Sequence, residues 1–385
     1  MKYIQKTQPY ISKNDSAAFF FQKDCIFFDI ETTGFSPKTS TLYLIGCLRR
    51  TETEIIIDQF FAESPKEESA VLEKFTDLLN NYKTIVSFNG LGFDLPFIKA
   101  KCDTYGIAQH IDTMNSTDNN TIDTINSLSF FDKFEYLDIF KEVSRIKPLL
   151  PLPNYKQKTI EQFLGIYRND KYSGGELISV YQEYVKTQNT QAEELLLLHN
   201  FDDVTGMLDL LPILSYCKIL NGAYEIVSAE ENTYTNYDGE TGLELIITLQ
   251  NNFPVPKSVS YSSKDFYIIM NKESTKIRVP IFEGELKFFY SNYKDYYYLP
   301  VEDMAIHKSV ASFVDKEYRQ KAKANNCYTR KNSHFLSQYD TIISPAFKNT
   351  YKDKFTFFEL TEDFLNSKDK LQQYIEHLLH LLQNK

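Results

Sequence analysis

Short apolar runs separated by polar turns dominate the first ninety residues. Residues 25–30 form one such run, carrying Asp29 at its end, and read as a buried strand. Residues 42–48 and 54–61 predict two further strands, joined by a polar turn around Arg50 and Thr53. Pro65 and Lys66 open a predicted helix in which Val71, Leu72, Phe75, Leu78 and Leu79 follow the 3.6-residue period. Residues 84–88 predict a fourth strand and residues 94–101 a second helix. Residues 112–127 are rich in Thr, Asn and Asp and read as an exposed insertion. Order returns over 136–143 and breaks over 147–153. Helices are then predicted at 158–164, 177–185 and 192–220, the last with a long Leu-rich face.

The pattern changes around Asn221 and Gly222. Residues 243–249, 266–270, 277–282, 285–290 and 296–299 are β-branched or aromatic runs bounded by turns, and they predict strands. A helix is expected over 303–324, and Leu371, Ile375, Leu378 and Leu382 mark one face of a terminal helix. The expected organisation is an α/β domain over 20–222 and a smaller α+β domain over 223–385.

Composition limits the function classes. At 385 residues, 42% hydrophobic and 24% charged, the chain has enough material for two cores and is not a disordered protein. Lys plus Arg is 42 and Asp plus Glu is 52, so 42 − 52 gives a formal charge of −10. Bulk charge therefore does not draw the chain to a phosphate backbone, and any nucleic-acid binding must be local or metal-assisted. No apolar run approaches the roughly 18 residues that cross a bilayer, so no membrane association is expected. Residues 1–16 are polar and lack the apolar core of a signal peptide, so none is expected either. The five cysteines are scattered without zinc-site spacing and suit a reducing cytoplasm.

Three short segments carry candidate chemistry. The first is Ile26-Phe27-Phe28-Asp29-Ile30-Glu31-Thr32-Thr33-Gly34. Residues two apart on a strand share a face, so Asp29 and Glu31 can aim at one point, where a divalent cation would relieve their repulsion. The second is Ser87-Phe88-Asn89-Gly90-Leu91-Gly92-Phe93-Asp94, a strand running through a turn into a helix. Asp94 there could simply cap that helix. The third is His199-Asn200-Phe201-Asp202-Asp203-Val204, in which His199 and Asp203 lie four apart and share a helix face.

In this order the three segments resemble the DEDD, or DnaQ-like, 3′–5′ exonuclease superfamily on an RNase H-like fold. Asp29 with Glu31 matches its first motif, Asn89 with Phe93-Asp94 its Asn-x-x-x-Phe-Asp second motif, and Asp203 its third. The His-Asn-x-x-Asp-Val form is similar to bacterial YprB-type predicted exonucleases, and the likeness runs from about residue 25 to 220. The superfamily's third motif usually keeps Tyr three residues clear of the Asp, or His four; here His199 takes the shorter spacing. Asp202 would shorten it further, which favours Asp203 as the ligand.

The resemblance implies an RNase H-like mixed sheet flanked by helices. It implies a 3′–5′ exonuclease in which Asp29, Glu31, Asp94 and Asp203 hold two divalent cations, Mg2+ or Mn2+, with His199 as base or water-orienting group. It places Thr32, Thr33 and Asn89 at the terminal nucleotide. The alternatives are a nucleic-acid-binding protein with little or no catalysis and a structure-selective endonuclease or RNase H-type enzyme.

Other features stand apart from these motifs. Lys316, Arg319, Lys321 and Lys323 at the end of the expected helix, followed by Tyr328, Arg330 and Lys331, interleave charge with aromatics as a single-strand track would. Asp138 resembles an additional acid of the superfamily, or caps a helix. His377 and His380 share a helix face and are expected at the surface. Tyr296–Tyr298 reads as a core or edge strand.

Overall fold

The computed structural model of the chain describes residues 1–11, 15–108, 129–168, 172, 174–236 and 238–383. The insertion expected at 112–127 lies outside the described residues. The chain divides into two compact units, Met1–Cys217 and Lys218–Lys385. The first unit thus starts at Met1, ahead of the expected residue 20, and the division falls five residues before the expected 222.

The first unit contains β1 (Lys2–Pro9), α1 (Asp15–Phe20), β2 (Cys25–Thr32), β3 (Leu42–Arg50), β4 (Glu54–Phe61) and α2 (Glu68–Leu79). It continues through β5 (Thr84–Ser87), α3 (Asp94–Tyr105), β6 (Glu135–Asp138), α4 (Ile139–Ser144), α5 (Gln157–Leu164), α6 (Gly174–Thr187) and α7 (Thr190–Leu210), with α8 (Leu214–Leu220) following. One sheet orders its strands β1-β4-β3-β2-β5-β6. β2 pairs antiparallel with β3 and parallel with β5, so the sheet is mixed. β1, which the hydrophobic pattern did not announce, pairs antiparallel with β4 along its whole length. It is polar and mostly exposed, so it lacks the alternation that marks a half-buried strand.

The core forms because β2 and β3 are apolar on both faces and helices cover them. Val71, Leu72, Phe75 and Leu79, the apolar face of α2, are buried in this core with Ile26, Phe28, Leu44 and Ile45. Tyr181 of α6 stacks on Tyr43 with ring centroids 4.0 Å apart. The helix expected over 192–220 is interrupted by a 3₁₀ turn at Leu211–Ile213, where Pro212 removes a backbone donor.

The second unit is α+β. Its strands are β7 (Tyr224–Thr235), β8 (Thr241–Asn251), β9 (Val259–Ser262), β10 (Tyr267–Met270), β11 (Ser274–Pro280), β12 (Phe282–Phe289) and β13 (Tyr296–Leu299). β14 (Met304–His307), α9 (Lys308–Ala311), β15 (Gln320–Lys321), β16 (Tyr328–Gln338), β17 (Ala346–Phe347), β18 (Thr356–Glu359), α10 (Glu362–Asn366) and α11 (Lys368–Gln383) complete it. They build sheets ordered β7-β8-β11-β10-β9, β12-β16-β18-β17 and β14-β13-β15.

Two expectations fail here. The helix expected over 303–324 does not form: β14 and β15 flank β13 instead, with the short α9 and a 3₁₀ turn at Lys316–Tyr318 between them. The backbone of β13 takes partners on both edges, which ties up the chain that would otherwise wind into a helix. His377 is also not a surface residue. It is 8% exposed, its Nε2 accepts from the Tyr339 amide at 3.2 Å, and burial pushes its pKa down. His380, on the same helix, is exposed.

Candidate metal centre

β2 and α7 supply most of the centre. In the sheet, Asp29 lies opposite Gly46 of β3, and Gly46 lies opposite Gln59 of β4. α7 crosses over this row. Asn200, fully buried, donates from Nδ2 to Asp29 Oδ2 at 3.1 Å and accepts from Gln59 Nε2 at 3.0 Å. This close approach needs a glycine beneath it. A Cβ on Gly46 would sit 2.1 Å from Asn200 Oδ1 and 2.8 Å from Val204 Cγ2.

One residue before Asn200, His199 is 5% exposed. Its Nε2 stands 3.2 Å from Asp203 Oδ2 and 3.7 Å from Glu31 Oε1. Glu31, His199 and Asp203 each offer one ligand atom within 4.8 Å of the others, a spacing that could hold a metal ion. Asp29 and Asp94 adjoin this set and feel the charge of its carboxylates.

Asp94 begins α3 but does not cap it; Phe93 holds the cap position. Its carboxylate turns toward β2, where Oδ1 accepts from the Ile30 amide at 3.4 Å. The preceding turn is shaped by Asn89, whose φ is 63°, and fixed by Asp138. Asp138 accepts from the amides of Asn89 at 2.9 Å and Leu91 at 3.1 Å, and also caps α4 through the Lys141 amide at 3.2 Å. It therefore caps a helix, as the sequence allowed, and holds the Asn89 turn as well.

Asp29 and Asp94 both bind their protons more tightly than an exposed carboxylate does. Burial, then the charges of Asp203, Asp94 and Glu31, hold Asp29 well above the usual carboxylate range, while the Asn200 hydrogen bond pulls the other way. Burial raises Asp94 to about 7, against backbone hydrogen bonds that lower it and with Asp138 and Asp203 adding to the rise. Carboxylates this close are costly to ionise together, and the oxygens of Glu31 and Asp203 with the His199 imidazole form a donor set that could hold a divalent cation.

The remaining expected residues divide by unit. In the first unit, Thr32 Oγ1 donates to the Gly34 carbonyl at 2.9 Å, Thr33 Oγ1 accepts from the Thr41 amide at 2.8 Å, and Asn89 is exposed on its turn. In the second unit, Arg319, Arg330 and Lys331 each have partners within the chain. Arg330 and Lys331 are neighbours on β16 and so point to opposite faces. Arg330 donates to the Glu302 carbonyl at 2.9 Å, and Lys331 pairs with Glu359 at 2.6 Å. Arg319 bonds the Ala311 carbonyl and lies over the Tyr297 ring, 5.0 Å from its centroid. Sequence reasoning passed over Gly46, Gln59 and Arg168, and gave Asn200 no role of its own. Only Asn200, inside the third motif, carried a sequence signal.

A mixed sheet with acidic side chains gathered at the carboxyl end of its central strand β2 makes the first unit an RNase H-like α/β domain. Residues 26–215 match the family model RNase_H_2, described as RNase_H superfamily. Among solved structures, the family B DNA polymerase of Pyrobaculum calidifontis is similar with 16% identity and a TM-score of 0.36, covering 51% of this chain and 26% of its own. The zinc-bound form of the E. coli exonuclease I complex with single-stranded DNA is similar with 12% identity and a TM-score of 0.29, covering 60% of this chain and 55% of its own. The metal-free form of that complex has 10% identity and a TM-score of 0.32, covering 60% and 54%. The chain thus spans about a quarter of the polymerase and about half of exonuclease I. No curated protein matches it.

Proposed function

We propose that the chain is a metal-dependent nuclease that hydrolyses phosphodiester bonds, acting 3′ to 5′ on single-stranded nucleic-acid ends. The observation that carries this reading is the gathering of Asp29, Glu31, Asp94 and Asp203 around the end of β2, with His199 against two of them. Such a cluster is hard to explain as scaffold, because it costs stability without cations.

In this reading the four carboxylates hold two divalent cations, Mg2+ or Mn2+. When bound, these supply Lewis-acid stabilisation of the attacking and leaving oxygens of the phosphodiester. His199 Nε2, facing Asp203 and Glu31, takes or steers the proton of the attacking water. Asn200 keeps Asp29 oriented. Thr32, Thr33 and Asn89 contact the terminal nucleotide. The first unit carries the chemistry, and the 3′ to 5′ polarity rests on the motif resemblance. A cytoplasmic location completes the proposal, since five free cysteines suit a reducing compartment.

The test is degradation of DNA, RNA and hybrid oligomers labelled at either end, with Mn2+ or with chelator. Mononucleotides leaving the 3′ end only with the cation, and not from an Asp29→Ala variant, would support the reading. Internal cuts would make the protein an endonuclease or RNase H-type enzyme. Binding without cleavage would make it a nucleic-acid-binding protein.

A further inference from the structure

Arg168 lies between α5 and α7 with its side chain 7% exposed, and it reaches the centre from a segment in which no motif was recognised. Its Nη1 donates to Asp203 Oδ1, while Nε and Nη2 donate to the two carboxylate oxygens of Glu161, itself 1% exposed. Gln157 ties the same group together. Its Nε2 donates to the Asp203 carbonyl at 2.8 Å and to Glu161 Oε1 at 3.1 Å. Gly206, three residues after Asp203 on α7, makes room for the whole arrangement. A Cβ there would stand 2.3 Å from Glu161 Oε1, 2.7 Å from Arg168 Nη2 and 3.0 Å from Gln157 Nε2.

We infer that Arg168 is a positioning residue for the metal centre: it holds Oδ1 of Asp203, so that Oδ2 is the oxygen presented to His199 and the cations. The inference rests on the proposed role of Asp203 as a cation ligand. Three features favour holding over competition between the guanidinium and a cation. Arg168 is gripped on its far side by a bidentate carboxylate, which fixes the planar fork in place. The positive charge of Arg168 and the negative charge of Glu161 cancel, so the clamp adds no net charge to the centre. Asp203 Oδ2 is directed at His199 at 3.2 Å while Oδ1 is taken by Arg168. The division of labour between the two oxygens is thus set by a buried network rather than by the free rotation of a helix side chain.

The experiment measures Mn2+ affinity directly on the full chain, by calorimetry and by the electron paramagnetic resonance signal of free Mn2+. The proteins compared are wild type, Asp29→Asn, Arg168→Lys and Arg168→Met, with circular dichroism and metal-free melting to establish folding. Loss of a hydrogen-bonded partner behind a ligand typically weakens metal binding by about 10–100-fold, and that is the expected result for Arg168→Met. Arg168→Lys, which keeps the charge and loses the fork, should fall between it and wild type, and it carries the test if Arg168→Met does not fold. Unchanged or tighter Mn2+ binding in the folded Arg168 variants overturns the inference while Asp29→Asn still loses binding. A wild-type protein that binds no Mn2+ overturns the metal reading and the inference together.

Discussion

Gly46 and Asn200 meet across the contact between β3 and α7 so closely that a methyl group on the glycine would stand 2.1 Å from the Asn200 side-chain oxygen. The helix carrying His199 and Asp203 is thereby seated directly on the strand row containing Asp29. Gly46→Ala must push α7 away or rotate Asn200 off Asp29. Overpacking of this kind costs about 1–3 kcal/mol. Urea unfolding should register that loss, and Mn2+ affinity should fall with it.

Asn200→Ala separates orientation from packing. The asparagine is the hydrogen-bond donor that favours the ionised form of Asp29 against burial and three neighbouring charges. Without it, the proton affinity of Asp29 rises further. The acidic limb of the pH–rate profile should therefore move to higher pH, by contrast with a uniform drop in rate at unchanged pH dependence.

Metal-free stability should depend on pH through Asp94. Its folded pKa is about 7 against an ordinary value of 3.8, so in the window between them the folded state keeps a proton that the unfolded chain has released. Stability then falls as pH rises from about 4 to about 7, the reverse of the usual behaviour of a salt-bridged carboxylate. Asp29 is shifted in the same direction and adds to the slope. Melting temperatures recorded across this range in chelator should decline for wild type and decline less for Asp94→Asn.

Cations should reverse that penalty. Millimolar Mg2+ or Mn2+ is expected to raise the melting temperature of wild type, because ligand binding to the folded state alone stabilises it by mass action. A variant with Ala at 29, 31, 94 and 203 should show no such rise. Asp29→Ala and Asp203→Ala should each abolish hydrolysis while remaining folded by circular dichroism. Full turnover in either would remove that residue from the centre.

Much of the first unit could be read from the chain because its strands are apolar runs and its helices repeat at 3.6 residues. The edges of β4 and β13 matched the predicted ranges, since turns and charged residues bound them. β1 escaped because an exposed, polar edge strand owes its existence to pairing with β4 rather than to any pattern of its own. The 303–324 segment was misread for a related reason. Its scattered apolar residues imitate a helical stripe, while pairing on both edges of β13, at Tyr297 and Tyr298, decides the outcome. In the centre, the acids carry motifs because their chemistry restricts the residue type and spacing. Gly46, Gln59, Glu161 and Arg168 support those acids across the fold, and a network assembled from separate elements leaves no local signature.

The position of β1 has a bearing on how the chain tolerates shortening. Lys2, Gln5 and Lys6 line the outermost strand of the sheet, and charged, polar residues of this kind discourage other molecules from adding to a sheet. Removing the first nine residues would bare the hydrogen-bonding edge of β4 along Ile55, Ile56 and Ile57. Such a fragment would keep every acid of the centre and yet be prone to self-association, with the eight-residue strand β1 acting as a solubility guard.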